Sequence, residues 1–353
     1  MAVNKKITVL IVDDSTLVRN ILTQGLSSDL NIEVIGAAGD PYEARDLIVK
    51  LKPQVLTLDV EMPKMTGVEF LKKLMPQYPI PVVMVSSLTE QGQKVTIEAL
   101  EAGAVDFVSK PKANTPDALN NMLIELRTKI KIAATANVSH WKAKRSDLFS
   151  KPGVVSKLKT QSNIEMIAIG ASTGGTEAIA SIIRNFPSNS PGVVIVQHMP
   201  AGFTKMFADR MNSLCHMRVK EAAHGDAIVP GLVLIAPGGF QLKVMRGNGT
   251  LYVDIKPGET VCGHKPSVEV MFESVSKTVG KKSIGVILTG MGRDGAAGLK
   301  TLRDTGAHTV GQNEETCIVY GMPKVANELG GVEKELPLDS ITEHVLALLK
   351  ENT

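Results

Sequence analysis

The feature that most constrains this chain is a recurring pair: a short apolar, β-branched run that stops at a polar residue, then a helix-length stretch. Five such runs, "ITVLIV", "IEVIGAA", "QVLTLDV", "PVVMVSS" and "VDFVSK", fall between residues 5 and 128, separated by segments such as "STLVRNILTQGLSS", "PYEARDLIVKL" and "GVEFLKKLMPQ". Short runs alternating with helical patterns imply a parallel, doubly wound sheet of the order 2-1-3-4-5, in which strands one and three are neighbours. Chemistry in such a sheet gathers at the carboxyl ends of the strands. The polar residues stand there: Asp13 and Asp14 after the first run, Asp59 at the third, Ser86 and Ser87 at the fourth, and Lys110 at the fifth.

Bringing three carboxylates together is too repulsive to leave uncompensated and suits a hard, oxygen-seeking cation such as magnesium. One carboxylate could then act on a phosphoryl group, with Lys110 supplying positive charge and the Ser86 hydroxyl within reach of a phosphate oxygen. Plain helix capping would explain Asp14 or Ser15 alone, but neither Asp59 inside a strand-like run nor a lysine before Pro111. "VDDS", "LDVEMPKMTG", "MVSS" and "DFVSKP" together resemble the landmarks of a two-component response-regulator receiver domain, which is flavodoxin-like. The resemblance implies that Asp59 accepts a phosphoryl group from a histidine kinase. It also implies that Asp14, Asp59 and the backbone of Glu61 hold magnesium with Asp13 supporting, and that Ser86 and Lys110 face the phosphate. Phe107 stands at the position of the aromatic switch residue, although core packing explains an aromatic there equally well.

Residues 129–163 carry Lys129, Lys131, Lys142, Lys144, Arg145, Lys151, Lys157 and Lys159 against the single acid Asp147, while the whole chain has a formal charge of only +3. The segment lacks sustained apolar periodicity and holds "KPG" and the only tryptophan, Trp141, so it is expected to be a basic interdomain linker. No helix-turn-helix, zinc finger or basic-aromatic surface accompanies it, which argues against nucleic acid as a partner. The three cysteines, Cys215, Cys262 and Cys317, are odd in number and outside any C-x-x-C spacing. That argues against a disulfide framework or a zinc site, and Cys215 beside His216 is a weak metal lure. The opening apolar run is too short for a secretory or membrane segment, so a cytoplasmic protein with no direct membrane insertion is expected.

From about residue 164 the strand-then-turn pattern returns. "IAIGASTGGTEAI" passes from β-formers through small residues into a helical pattern with Ser172 at its apex. Such a turn can cradle a phosphate, expose a nucleophile or merely pack tightly. "GASTG" satisfies the G-x-S-x-G pattern, and a nucleophilic serine needs a base and an orienting carboxylate. "PGVVIVQHMP" ends in His198, and "SIGVILTGMGRDGAAG" opens into a loop with Asp294. All three residues follow apolar strands and so share one sheet edge, which makes a catalytic triad the preferred reading over a core histidine and a helix-capping aspartate. "GASTGG" is not G-x-G-x-x-G, no Walker A sequence is present, and His216, His224, His264 and His308 lack ligand spacing. "GHKPSVEVMFESV" could bring polar groups beside the site.

"IAIGASTGGTEAI", "QHMPAGFT", "IAPGG", "HKPSVEVMFESV" and "ILTGMGRDGAAGL", in that order, resemble the catalytic half of the chemotaxis protein-glutamate methylesterases. The resemblance implies Ser172 as nucleophile, His198 as general base and acid, Asp294 as its orienter, Thr173 in support and the backbone of Met291 as oxyanion donor. It implies a second, Rossmann-like, mostly parallel α/β domain over residues 164–350, following a receiver domain over 5–128. The activity implied is demethylation of glutamate γ-methyl esters on chemotaxis receptors and deamidation of receptor glutamines, switched by phosphorylation, with no cofactor for the esterase chemistry. A receiver-controlled binding or scaffold protein and a small-molecule esterase are the alternatives.

Overall fold

The computed structural model describes residues 6–87, 89–111, 115–143 and 162–351, and the chain divides into two compact units, Met1–Arg145 and Ser146–Thr353. In the first, strands β1 (Ile7–Val12), β2 (Ile32–Ala38), β3 (Val55–Asp59), β4 (Val82–Ser86) and β5 (Asp106–Ser109) alternate with helices α1 (Thr16–Ser27), α2 (Pro41–Leu51), α3 (Gly67–Leu74), α4 (Glu90–Glu101) and α5 (Pro116–Ala133). The strands form one parallel sheet in the expected order β2-β1-β3-β4-β5. All five helices begin behind a side chain that accepts a backbone N–H: Ser15, Asp40, Thr66, Thr89 and Thr115. Each such cap stabilises its helix by about 1 kcal/mol. The inner strands β1, β3 and β4 are buried on both faces by residues such as Val9, Leu10, Ile11, Leu56, Leu58, Val83 and Met84, which is why they read as continuous apolar runs, whereas the edge strand β2 is only partly buried.

Helix α5 continues past residue 128 to Ala133, so Lys129 and Lys131 belong to this unit. Lys129 pairs with Asp106 and Glu125, and Lys131 with Asp29. Trp141, in the 3-10 turn Ser139–Ala143, packs on Gly103. The remaining basic residues of the expected linker, Lys144, Arg145, Lys151, Lys157 and Lys159, lie outside the described residues, whereas Lys142 is exposed.

The second unit contains β6 (Met166–Ala171), α6 (Gly175–Ile183), β7 (Gly192–Gln197), α7 (Phe203–Leu214), β8 (Arg218–Glu221), β9 (Leu232–Ile235), β10 (Gln241–Gly247), β11 (Thr250–Lys256) and α8 (Val268–Thr278). It continues with β12 (Ser283–Ile287), α9 (Ala296–Asp304), β13 (His308–Gln312), α10 (Met322–Glu328), β14 (Lys334–Leu336) and α11 (Leu338–Glu351). Seven strands pair in parallel in the order β14-β13-β12-β6-β7-β9-β8. The chain leaves β6 toward β7 and later returns to β6's other side at β12, so the topological switch point, where α/β sheets open a crevice, falls at β6.

Strands β10 and β11 stand apart as an antiparallel hairpin turned by Asn248 and Gly249, both at positive φ, the backbone that a two-residue Asn-Gly turn requires. The hairpin packs Leu242, Val244, Leu251 and Val253 into the core with Met271, Phe272 and Val275 of α8. Ser274 accepts the Val244 N–H at 2.8 Å. This fixes the height of α8, whose N-terminus reaches the site described next.

Candidate functional site

Ser172, His198 and Asp294 follow the adjacent strands β6, β7 and β12 at their carboxyl ends, and backbone bonds carry the sheet ladder into these loops. The Ser172 N–H donates to Thr289 O at 3.0 Å, and the His198 N–H donates to Ala171 O at 3.2 Å. His198 Nδ1 lies 3.0 Å from Ser172 Oγ, and His198 Nε2 lies 2.7 Å from Asp294 Oδ2. Ser172 is not among the residues at positive φ; Gly174 takes that conformation instead, at φ +77°. The turn is therefore made by a residue without a Cβ penalty rather than by straining the serine. A methyl on Gly175 would fall 2.1 Å from Gln197 Oε1. Gly175 must therefore stay bare for α6 to start directly behind Ser172, its N-terminal dipole end beside the hydroxyl.

Asp294 is almost fully buried, and burial alone would push its carboxyl up. The hydrogen bond and charge of His198, together with Ser267 and the Val268 N–H, outweigh burial and hold it below the usual carboxylate range. Oδ1 accepts from Ser267 Oγ at 2.7 Å and from the Glu269 N–H at 3.2 Å, and Oδ2 accepts from the Val268 N–H at 2.7 Å. The carboxylate thus sits on the N-terminus of α8, a natural anion site. The arrangement is reciprocal, because the Glu269 carboxylate accepts from the backbone of Gly295 and Gly298 at the start of α9. Val268 is wedged between Gly170 and Gly295, where added methyls would fall 2.2 and 2.3 Å from its Cγ1. An ionised Asp294 can only accept, so Nε2 carries the imidazole proton. Nδ1 is left as the acceptor for the serine hydroxyl.

Thr173 is buried, and its carbonyl accepts from Thr289 Oγ1 at 3.0 Å. Gly290 lies directly against the serine, since a methyl there would fall 2.6 Å from Ser172 Cβ. Met291 comes next, with an exposed side chain. Groups not assigned from sequence also converge here. Ser267 and the first turn of α8 hold Asp294, Gln197 Nε2 donates to Ser172 O at 2.9 Å, and the His264 ring stacks on His198.

At the carboxyl edge of the first unit, Asp13, Asp14 and Asp59 bring carboxylate oxygens within 4.8 Å of one another. Among the described residues this is the one group of three or more potential metal ligands, so Cys215 with His216 forms none. Asp13 and Asp59 are buried and Asp14 is exposed. Lys110 Nζ bridges the two buried acids, 3.0 Å from Asp13 and 2.9 Å from Asp59. Burial raises the Asp59 carboxyl to about 6, with Lys110 opposing and Asp13 reinforcing the rise. The same two acids outweigh desolvation of the lysine and raise Lys110. All ligands are hard oxygens, and exposed Asp14 leaves one side to water, a donor set that fits magnesium. The Glu61 side chain is exposed and outside this group.

Ser86 is fully buried. Its hydroxyl accepts from Thr96 Oγ1 at 2.6 Å and reaches the Gly92 carbonyl at 3.2 Å, both on α4. Phe107 is buried, with Lys129 Nζ 5.0 Å above its ring. All three cysteines are free: Cys215 and Cys317 are buried and Cys262 is exposed. No described helix is long and apolar enough to cross a membrane.

Fold and site together define a class: a doubly wound receiver unit joined to a parallel α/β unit carrying a serine, histidine and aspartate array. A family model described as CheB methylesterase matches residues 167–345, and one described as response regulator receiver domain matches residues 9–123. The chain belongs to the CheB methylesterase family. It is 59% identical, over 98% of its length and 99% of the relative's, to a protein-glutamate methylesterase/protein-glutamine glutaminase of Syntrophotalea carbinolica. It is 51% identical, over 98% and 99%, to the one of Sulfurimonas denitrificans. The second unit is similar to the crystal structure of the Thermotoga maritima CheB methylesterase catalytic domain, with a TM-score of 0.51 and 38% identity. That match covers 52% of this chain and 98% of the solved one.

Proposed function

We propose that this chain is a phosphorylation-regulated serine esterase that hydrolyses γ-glutamyl methyl esters on chemotaxis receptors, releasing methanol, and deamidates receptor glutamines. The observation that carries the reading is the linear array Ser172 Oγ, His198 and Asp294, at 3.0 and 2.7 Å, at the switch point of a parallel sheet. Asp294 keeps the proton on Nε2, and Nδ1 takes the Ser172 proton as Oγ attacks the γ-carbonyl carbon. The tetrahedral oxyanion forms beside the N-terminus of α6, where the backbone N–H groups of Thr173 and Met291 are its donors. Collapse breaks the ester C–O bond, and Nδ1 returns the proton to the departing oxygen as methanol. Water then attacks the acyl-serine carbonyl, giving one proton to Nδ1, which passes it to Ser172 Oγ as the acyl C–Oγ bond breaks; the glutamate product leaves, losing its acid proton to solvent. With glutamine the same intermediate expels ammonia, a poorer leaving group.

Asp59 is the phosphoryl acceptor, and a histidine kinase is the donor. Asp13, Asp14, Asp59 and the backbone of Glu61 would hold magnesium, which would supply charge neutralisation for phosphoryl transfer. Lys110 balances the added charge. Ser86 exchanges its Thr96 and Gly92 partners for a phosphate oxygen, which releases its hydrogen bonds to α4, and Phe107 moves with it. Lys129 and Lys131 are part of the receiver unit, because α5 runs to Ala133 and both lysines pair within it.

The test is methanol release from membranes carrying methylated receptors. Ser172→Ala should remove the activity by roughly 10⁴- to 10⁶-fold, and an undiminished rate would overturn the esterase reading in favour of a binding module.

A further inference from the structure

Two hydrogen bonds at its ring nitrogens hold the His198 imidazole by its edge and themselves cover neither of its faces. One ring face is closed by His264, whose centroid lies 3.6 Å from that of His198 with the planes 10° apart. His264 is itself held in place. Val261 and His264 exchange both backbone hydrogen bonds, at 3.1 and 2.9 Å, around Cys262 and Gly263, both at positive φ. The chain then runs through Gly239 N–H donating to Lys265 O at 3.1 Å, and Ser267 N–H donating to Gln241 Oε1 at 2.9 Å, into the α8 terminus that holds Asp294.

We propose that His264 is a positioning residue for the esterase, a flat ring that packs on the face of His198 and stabilises its imidazolium through the π-face. The proposal rests on the reading of His198 as general base. When Nδ1 takes the Ser172 proton, the positive charge forms against the face of a partly desolvated aromatic ring, where cation–π attraction is strongest. Protonation of His264 would turn that attraction into repulsion, so the stack works only with His264 neutral. The charged or titratable groups around the pair are Asp294 on the Nε2 edge, Cys262, whose thiol is raised by burial and by Asp294 and Glu269, Arg293 beside Asp294, and Lys265 next in the chain.

The experiment uses the full chain and receptor membranes, with His264→Ala, His264→Phe and Ser172→Ala compared across pH. His264→Ala should lower kcat about tenfold with KM within about twofold. It should also move the acid limb of kcat/KM down by roughly half to one pH unit, because the His198 imidazolium loses the same stabilisation in the free enzyme. His264→Phe keeps a ring on the face and should restore both to near wild type, which also controls for misfolding. Wild-type rates in His264→Ala, or a loss that leaves the acid limb in place and that Phe does not restore, would overturn the proposal. Equal rates in wild type and Ser172→Ala would instead overturn the esterase reading beneath it.

Discussion

Asp59 and Asp294 are both strand-end aspartates and both nearly buried, at 6% and 1% exposure, yet their carboxyls move in opposite directions. Asp59 is raised to about 6, and Asp294 is held below the usual range. The difference lies in the partners. Asp294 meets one imidazole, one hydroxyl and two backbone N–H groups at a helix terminus, so its charge is solvated by fixed dipoles. Asp59 has Lys110 and the Val60 N–H on its side, but it faces burial and the charge of Asp13. One site holds a settled anion. The other holds excess negative charge that a cation would relieve, and burial alone decides neither.

The helices tell the same story. Every receiver helix starts behind a Ser, Thr or Asp side chain, whereas α6, α7 and α9 start at Gly174, Gly202 and Gly295 with no side-chain cap. The receiver satisfies its helix ends internally. In the catalytic unit the loops behind the three triad residues lead into uncapped helix ends.

The largest effect expected from this contrast is on rate. Asp294→Asn should lower kcat by about 10³- to 10⁴-fold, because an amide cannot accept from Nε2 and from the α8 terminus as a carboxylate does; a loss below tenfold would detach Asp294 from the chemistry. Next comes stability, where the two aspartates should differ in sign. At pH 7.5 Asp59→Asn should stabilise the receiver by up to about 2–3 kcal/mol, since the fold disfavours its charge, while Asp294→Asn should destabilise the second unit by about 2–4 kcal/mol. Denaturant melts of both variants would break the comparison if the signs agree.

The pH dependence follows. Because the folded receiver binds the Asp59 proton more tightly than the unfolded chain, this acid's contribution to stability falls as pH rises from about 4 to 6 and stays low above that. Asp294, being lowered, contributes stability that is present above about 4 and lost as pH falls further. Magnesium should recover part of the Asp59 penalty, seen as a raised melting midpoint at pH 7.5 that EDTA reverses; no shift would speak against a metal at Asp13, Asp14 and Asp59. The smallest effect is Ser267→Ala, which removes one hydrogen bond to Asp294 and should cost about tenfold in kcat at most.

Much of this was legible in sequence, for reasons that particular elements make plain. Strands buried on both faces cannot alternate, so β1, β4, β6 and β7 stand out as apolar runs, and parallel pairing then sends their terminal polar residues to one edge. That logic brings Ser172, His198 and Asp294 together across separations of 26 and 96 residues without any contact information. The hairpin β10–β11 carries an equally readable Asn-Gly turn, but nothing in its pattern says that it buttresses α8. His264, Ser267 and Glu269 were legible only as part of a stretch that could bring polar groups beside the site. Which of them do so follows from the packing of Val268 between Gly170 and Gly295 and from the stacking of two rings, fits with no periodicity. Helix α5 runs beyond residue 128 because Leu126, Ile130 and Ala133 stay buried along one face while Lys129 finds Asp106 and Glu125. A count of basic residues does not register such pairing.

If phosphorylation at Asp59 regulates the esterase, chemistry at Asp59 sets the rate at Ser172. The direct measurement is methanol release from receptor membranes with magnesium, with and without a small acyl-phosphate donor, in wild type and Asp59→Asn. Donor stimulation is expected in wild type, and an unchanged, donor-insensitive basal rate in Asp59→Asn. Equal stimulation in both proteins would contradict it.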